Sequence, residues 1–158
     1  VETMLIRLLA VLLAAAFRRR LGLLDESAIH LRVWPNDLDA NLHMNNSRYL
    51  LAMDLGRWDL VVRTGLWREL FRRRWFPVVA SATLNFKRPI EYPASIFVEL
   101  FTAKLGTSSV VIGHRIVDAD GGLHCDGSVV AVWIDRRSGR PTPLPDGVRR
   151  ASEALLQG

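Results

Sequence analysis

An α+β fold, with one curved antiparallel sheet wrapped around a long buried helix, is what this 158-residue sequence predicts, on three observations. The stretch after Ser47, RYLLAMDLGRWDLVVRTG, is apolar at nearly every position from Tyr49 to Met53, so the helix it forms needs cover on more than one side. Four strand-like segments come after it, separated by turn clusters short enough to make neighbours antiparallel. A fifth strand candidate precedes it. A helix covered on several sides by a single sheet requires that sheet to curl. An edge left open by the curl is a place for a second copy of the chain to pair.

The length suits one domain with a real core, set here at residues 25–158 behind a helical extension at residues 1–24. An apolar content of 49% and a charged fraction of 23% exclude general disorder. The net charge of +5 comes mostly from arginine, much of it in Arg18-Arg19-Arg20 and Arg72-Arg73-Arg74. No zinc-finger spacing, aromatic RNA-binding signature or glycine-rich phosphate loop accompanies these clusters, so nucleic acid is not an expected partner. The basic surface is either solvated or faces anionic lipid. The single Cys125 excludes an internal disulfide, fits a reducing compartment such as the cytoplasm, and reads as a small buried hydrophobe.

Met4 to Phe17 is strongly apolar, helix-favouring and short of the roughly twenty residues that span a bilayer. The Arg triplet follows this run, whereas a signal peptide carries its charge in front. A helix is expected, with two placements open: packed on the body, or lying in a membrane interface through residues 4–20 with its arginines on head groups. Ile29 to Trp34 alternates as a half-buried strand and ends at Pro35. Asn46 or Ser47 is the expected cap of the long helix, Asp59 and Arg63 form a surface pair, and Gly65 stops it. On the next strand Val78, Ala80, Ala82, Leu84 and Phe86 are expected on one face. SIFVELFTAKLG, SSVVIGHRIVD and LHCDGSVVAVWID supply the remaining strands, and a last helix follows Pro145.

The densest polar stretch is DLDANLHMNNSRYL, in which Asp37, Asp39, Asn41, His43, Asn45 and Asn46 fall within ten positions. Carboxylates, amides and an imidazole are the groups that activate water and orient substrates. They are also the standard turn and cap residues, so these residues alone leave a site and a braced helix entry equally open.

From about His30 to Pro145 the chain resembles the 4-hydroxybenzoyl-CoA thioesterase-like branch of the hotdog superfamily. DLDANLHMNNSRYL resembles that family's D-x-D-x-x-x-H-x-N-N-x-x-Y-L pattern, and TLNFKRPIEY its strand-plus-Pro segment. LGTSSVVIGHRI and VVAVWIDRRSGRPTPLP resemble its last two strands. The resemblance implies a hotdog fold assembled as a homodimer or a tetramer of hotdog dimers. It implies hydrolysis of acyl-CoA or acyl-ACP thioesters, with Asp39 as the catalytic carboxylate. The plant acyl-ACP thioesterases carry a similar D-x-N-x-H set, which implies catalytic roles for Asn41 and His43 as well. Two positions depart from the relatives: Pro89 stands where the plant enzymes have a Glu, and Asn46 where bacterial acyl-CoA enzymes often have a His.

Such chemistry needs activated water or a carboxylate nucleophile, and donors for the developing oxyanion. Asp39 fits either first role, and the amino end of the long helix fits the second. The thiolate leaves readily, so neither a cofactor nor a metal is expected. Asn46, Ser81, Thr83 and Arg88 are the expected substrate contacts, Arg88 through phosphate. Asp54 is expected to pair with Arg57 or Arg48, His114 to be half-buried, and His30 and His124 to lie on the surface. Two other functions stay in view: a hydratase, disfavoured because the helix offers Asp54 but no His, and a non-catalytic acyl-thioester binding protein held at membranes by the N-terminal helix.

Overall fold

The computed structural model describes residues 4–156, so residues 1–3 and 157–158 of the two expected spans lie outside the described residues. Helix α1 (Met4–Phe17) leads into strand β1 (Ser27–Val33), a 3-10 turn (Pro35–Asp37) and the long helix α2 (Asn46–Arg63). A short helix α3 (Trp67–Arg73) precedes strands β2 (Trp75–Phe86), β3 (Ala94–Leu105), β4 (Ser109–Val117) and β5 (Leu123–Asp135), and α4 (Asp146–Leu156) closes the chain. The five strands form one antiparallel sheet in the order β1-β3-β4-β5-β2.

Helix α2 buries Tyr49, Ala52, Met53 and Leu55 against Ile29, Val98, Leu100 and Ile116 of the sheet. Gly56 lets it approach β3 closely, because a Cβ there would lie 2.6 Å from Leu100 Cδ1. Gly65 ends the helix at φ +76°, its N–H donating to Val62 O at 3.1 Å. The cap is Asn45, one residue before the expected pair: its side chain accepts from Ser47 N at 2.9 Å.

Three other expectations are corrected by packing. The pairings Val79↔Ala131, Ser81↔Val130 and Ala82↔Val129 leave Ala80 as a bulge. Ala82, Leu84 and Phe86 therefore face α2 as expected, but beyond the bulge Pro77 and Val79 face it in place of Val78 and Ala80. Asp59 and Arg63, expected on the surface, are 1% and 7% exposed and lie 3.2 Å apart. Arg18, the residue after α1 (3.1 Å), and Ser27 of β1 (3.1 Å) complete that network on Asp59, because α1 covers a face that the periodicity of α2 does not mark as covered. His124 is not on the surface but under the β4–β5 turn, with Nε2 3.1 Å from Asp118 Oδ2. His30 is exposed and tilted against Phe97.

Helix α1 lies along α2 with Ala15 buried, while Leu8 and Val11 pack on the main core. Its outer face presents Leu5, Leu9, Leu13 and Phe17, which are 63%, 57%, 65% and 85% exposed. No helix among the described residues is long and apolar enough to cross a membrane. The two sheet edges differ. Arg18 Nη2 donates to Ala28 O of β1 at 2.8 Å, whereas β2 is exposed from Val78 to Thr83.

Candidate active site

The loop between β1 and α2 is built on two aspartates with different tasks. Asp37 is buried, and its Oδ2 accepts from Trp34 N at 2.9 Å while its carbonyl accepts from Asn45 N at 2.8 Å. Arg7 forks onto both its carboxylate oxygens, at 3.0 and 2.7 Å, and Arg48 Nε stands 3.5 Å from Oδ1. Asp37 thus braces the loop. Asp39 turns the chain: its N–H donates to His43 O at 2.8 Å, and its Oδ1 accepts from Asn41 N at 2.8 Å and more weakly from His43 N at 3.4 Å. Its Oδ2 takes no part in the turn. Within it Leu42 adopts φ +61°, a left-handed conformation that costs a side-chain-bearing residue about 1–2 kcal/mol and persists because the surrounding bonds impose it. Met44 N then donates to Ile90 O at 2.8 Å, tying the loop to the segment after β2.

Asp39, His43, Asn46 and Arg88 come together around a cleft of about 300 Å³, completed by Met44, Tyr49, Phe86, Lys87 and Pro89. Asn41 is exposed at the turn and reaches the site through its backbone N–H on Asp39 rather than by lining the cleft. Ser81 and Thr83 do not line this cleft: past the bulge they pair with Val130 and Ser128 on the sheet face away from α2. Arg88 is anchored by Leu123 O at 3.1 Å and Asp118 at 3.6 Å. At the amino end of α2, Asn45 occupies the N–H groups of Ser47 and Arg48, while Asn46 N–H meets no acceptor among the described residues.

Three contributors were not assigned from sequence. Tyr49 is buried in the cleft wall, edge-on to Phe86 at 5.0 Å. Burial, reinforced by Cys125 and Asp39, pushes its pKa up to about 12, so it stays protonated. Glu91 stands 3.8 Å from His43 Nε2, through the pairing of His43 with Glu91. It places a carboxylate two residues beyond Pro89, which only the pairing of the loop with that segment reveals. Lys87 adds a second cation beside Arg88, 3.3 Å from Asp126.

A second cavity, about 130 Å³ and mostly apolar, runs along the carboxyl half of α2 between Leu60, Val61, Val79, Ile112, Ala131 and Trp133. Its wall contains the Asp54–Arg57 pair, joined at 2.7 Å as expected for Asp54. Both cavities therefore border α2 and β2, one at each end.

The Thioesterase-like superfamily description matches residues 33–152, and the chain belongs to that family. The sequence is 37% identical over 68 residues to Protein THEM6 of Xenopus laevis, covering 43% of this chain and 33% of that protein. It is 22% identical over 121 residues to the long-chain acyl-CoA thioesterase FadM of Escherichia coli K12, covering 76% of this chain and 92% of FadM. Among solved structures, the PA2801 protein of Pseudomonas aeruginosa superposes with a TM-score of 0.71 at 31% identity over 79% of this chain and 96% of that one. The DHNA-CoA thioesterase of Staphylococcus aureus superposes with a TM-score of 0.74 at 19% identity, over 84% and 93% of the two chains, and so shares the fold. That fold is the hotdog. The chain spans a third to about half of the length of the THEM6 proteins it matches, for instance 54% of that from Danio rerio.

Proposed function

We propose that this chain hydrolyses acyl-CoA thioesters to a free acid and coenzyme A, with Asp39 as general base. The observation that carries the reading is that Asp39 Oδ2 and Asn46 N–H, neither with a hydrogen-bond partner among the described residues, belong to residues lining one cleft, which is bordered by the same helix as an apolar cavity. Water attacks the thioester carbonyl as its proton passes to Asp39. Asn46 N–H and the positive end of α2 receive the oxyanion. Collapse breaks the C–S bond, and the proton held by Asp39 is returned to the departing thiolate. His43, oriented by Glu91, and Asn41, through its backbone, hold the carboxylate and the water. Lys87 and Arg88 meet the phosphates of coenzyme A, and the acyl chain lies in the apolar cavity.

Thiol release from a panel of acyl-CoA and acyl-ACP substrates, with Asp39→Asn alongside, tests this. Tight acyl-CoA binding without turnover of any thioester would leave a binding protein instead. Turnover of acyl-ACP alone would change the carrier.

The open β2 edge is where a second copy pairs, bringing Ser81 and Thr83 to the substrate across the interface. Val78→Lys, on the outer face of β2, together with Ser81→Pro is expected to convert a dimer to a monomer by light scattering, and dimers surviving both changes would remove β2 from the interface.

The outer face of α1 supports membrane contact. Four large apolar side chains stand in a row one turn apart, with Arg19 and Arg20 exposed beyond the helix end. Vesicles containing phosphatidylserine should float this protein. Leu9→Glu with Leu13→Glu should abolish flotation without loss of thiol release, and unchanged flotation would return α1 to a packing role alone.

A further inference from the structure

Helix α1 reaches the loop of the candidate site through Arg7. Arg7 is nearly buried and forks onto both oxygens of Asp37, the residue that fastens the end of β1, the 3-10 turn and the cap of α2 to one another. Two residues further on stands Asp39, whose turn contains the left-handed Leu42 and so needs its flanks held. A planar guanidinium on a carboxylate fixes orientation as well as distance, which a single-point contact does not. Arg48 also approaches Asp37, but at 3.5 Å and through Nε alone. Just past the opposite end of α1, Arg18 makes a second, single-point ion pair with Asp59 at 3.1 Å, which fastens that end to the body away from this loop. Attachment of the helix and control of the loop are thus carried by different residues.

We infer that Arg7 is a positioning residue: its fork on Asp37 fixes the loop that presents Asp39, so the N-terminal helix is part of the active-site framework. The kinetic arm of this inference rests on the thioesterase reading, whereas its structural arm does not. In Arg7→Met the Asp37 carboxylate keeps, among the described residues, Trp34 N–H and Arg48, and the turn from Asp39 to Met44 loosens.

The test compares Arg7→Met, Arg7→Lys and Arg18→Met in the full chain. Hydrogen exchange of the amides of Asp39, Met44 and Asn45 is expected to speed up roughly tenfold or more in Arg7→Met and to stay at wild-type rates in Arg18→Met. Thiol release in Arg7→Met should show kcat lowered roughly 10- to 100-fold with KM little changed, since a misplaced catalytic group affects turnover and not binding. Arg7→Lys, which keeps charge but not the fork, should fall between. Arg18→Met should lower Tm alone. Equal exchange in wild type and Arg7→Met overturns the proposal, as does a kcat loss that merely tracks Tm in both variants. If no variant, wild type included, releases thiol while exchange behaves as expected, the thioesterase reading fails and the role of Arg7 in the loop stands.

Discussion

Replacing Asp39 by Asn is expected to lower kcat for the proposed acyl-CoA hydrolysis by roughly 100- to 10,000-fold, the range a general base supplies, while the protein stays folded. The substitution separates chemistry from architecture. The structural work of Asp39 is done by Oδ1, which accepts from Asn41 N at 2.8 Å. An asparagine carbonyl oxygen can accept that same bond and keep the turn. What is lost is Oδ2, which the turn does not use, and with it the capacity to take a proton from water. Thiol release measured beside Tm reads both properties at once. A variant with equal activity removes Asp39 from the mechanism. A variant with lowered Tm and proportionately lowered activity makes the aspartate a brace, like Asp37. Oxygen-18 from solvent water, traced in a single turnover, distinguishes base from nucleophile: label found in Asp39 itself would mean direct attack through an anhydride.

The sequence carried the fold because its strongest signals were local. A helix apolar on several sides and four strands joined by short turns leave few ways to bury the chain, and the observed sheet wraps α2 as those signals require. Cys125 is likewise the buried hydrophobe expected, its thiol pushed up to about 11 by burial and by Asp126. The errors arose where distant segments meet. The bulge at Ala80 reverses which face of β2 its first half presents, and nothing in an alternating run of small residues marks it. Asp59 and Arg63 have the spacing of a surface pair on a helix but are buried, and Arg18, just past the end of α1, joins them. The site divided in the same way. The polar stretch held Asp39, His43 and Asn46 and, unassigned, Tyr49, whereas Lys87 and Glu91 reach them only through folding, from beyond β2.

Between pH 6.5 and about 4 the protein should lose roughly 3 kcal/mol of stability through His114 alone. His114 lies on β4 in line with Ile112 and Ile116, facing α2, and is 1% exposed with no hydrogen-bond partner for either ring nitrogen among the described residues. Burial is the main cause that brings its pKa down from 6.5 to about 4. The Arg57 guanidinium on α2 adds to the shift, and the Ile112 backbone opposes it weakly. Arg57 stays in place because Asp54 pairs with it at 2.7 Å, so the charge facing the imidazole persists across this range. Above pH 6.5 the ring is neutral in both states and contributes no slope. Between 6.5 and about 4 the unfolded chain binds the proton and the folded one does not, so stability falls as the pH is lowered. The carboxylates of Asp118, Asp126 and Asp135 are held below their usual range by hydrogen bonds from Gly122 N–H, Asn85 and Ser138 N–H respectively, so their contribution to stability is lost only as the pH falls below the ordinary carboxylate range, at the acid end of this window. Urea denaturation at several pH values should therefore show a decline that His114→Leu largely removes. The same variant should gain stability at pH 7, because two buried ring nitrogens without partners are replaced by hydrocarbon of similar volume. A wild-type profile that is flat from pH 6.5 to 4, or a decline of equal slope in His114→Leu, would show that the imidazole is hydrated or paired in solution and that acid sensitivity resides elsewhere.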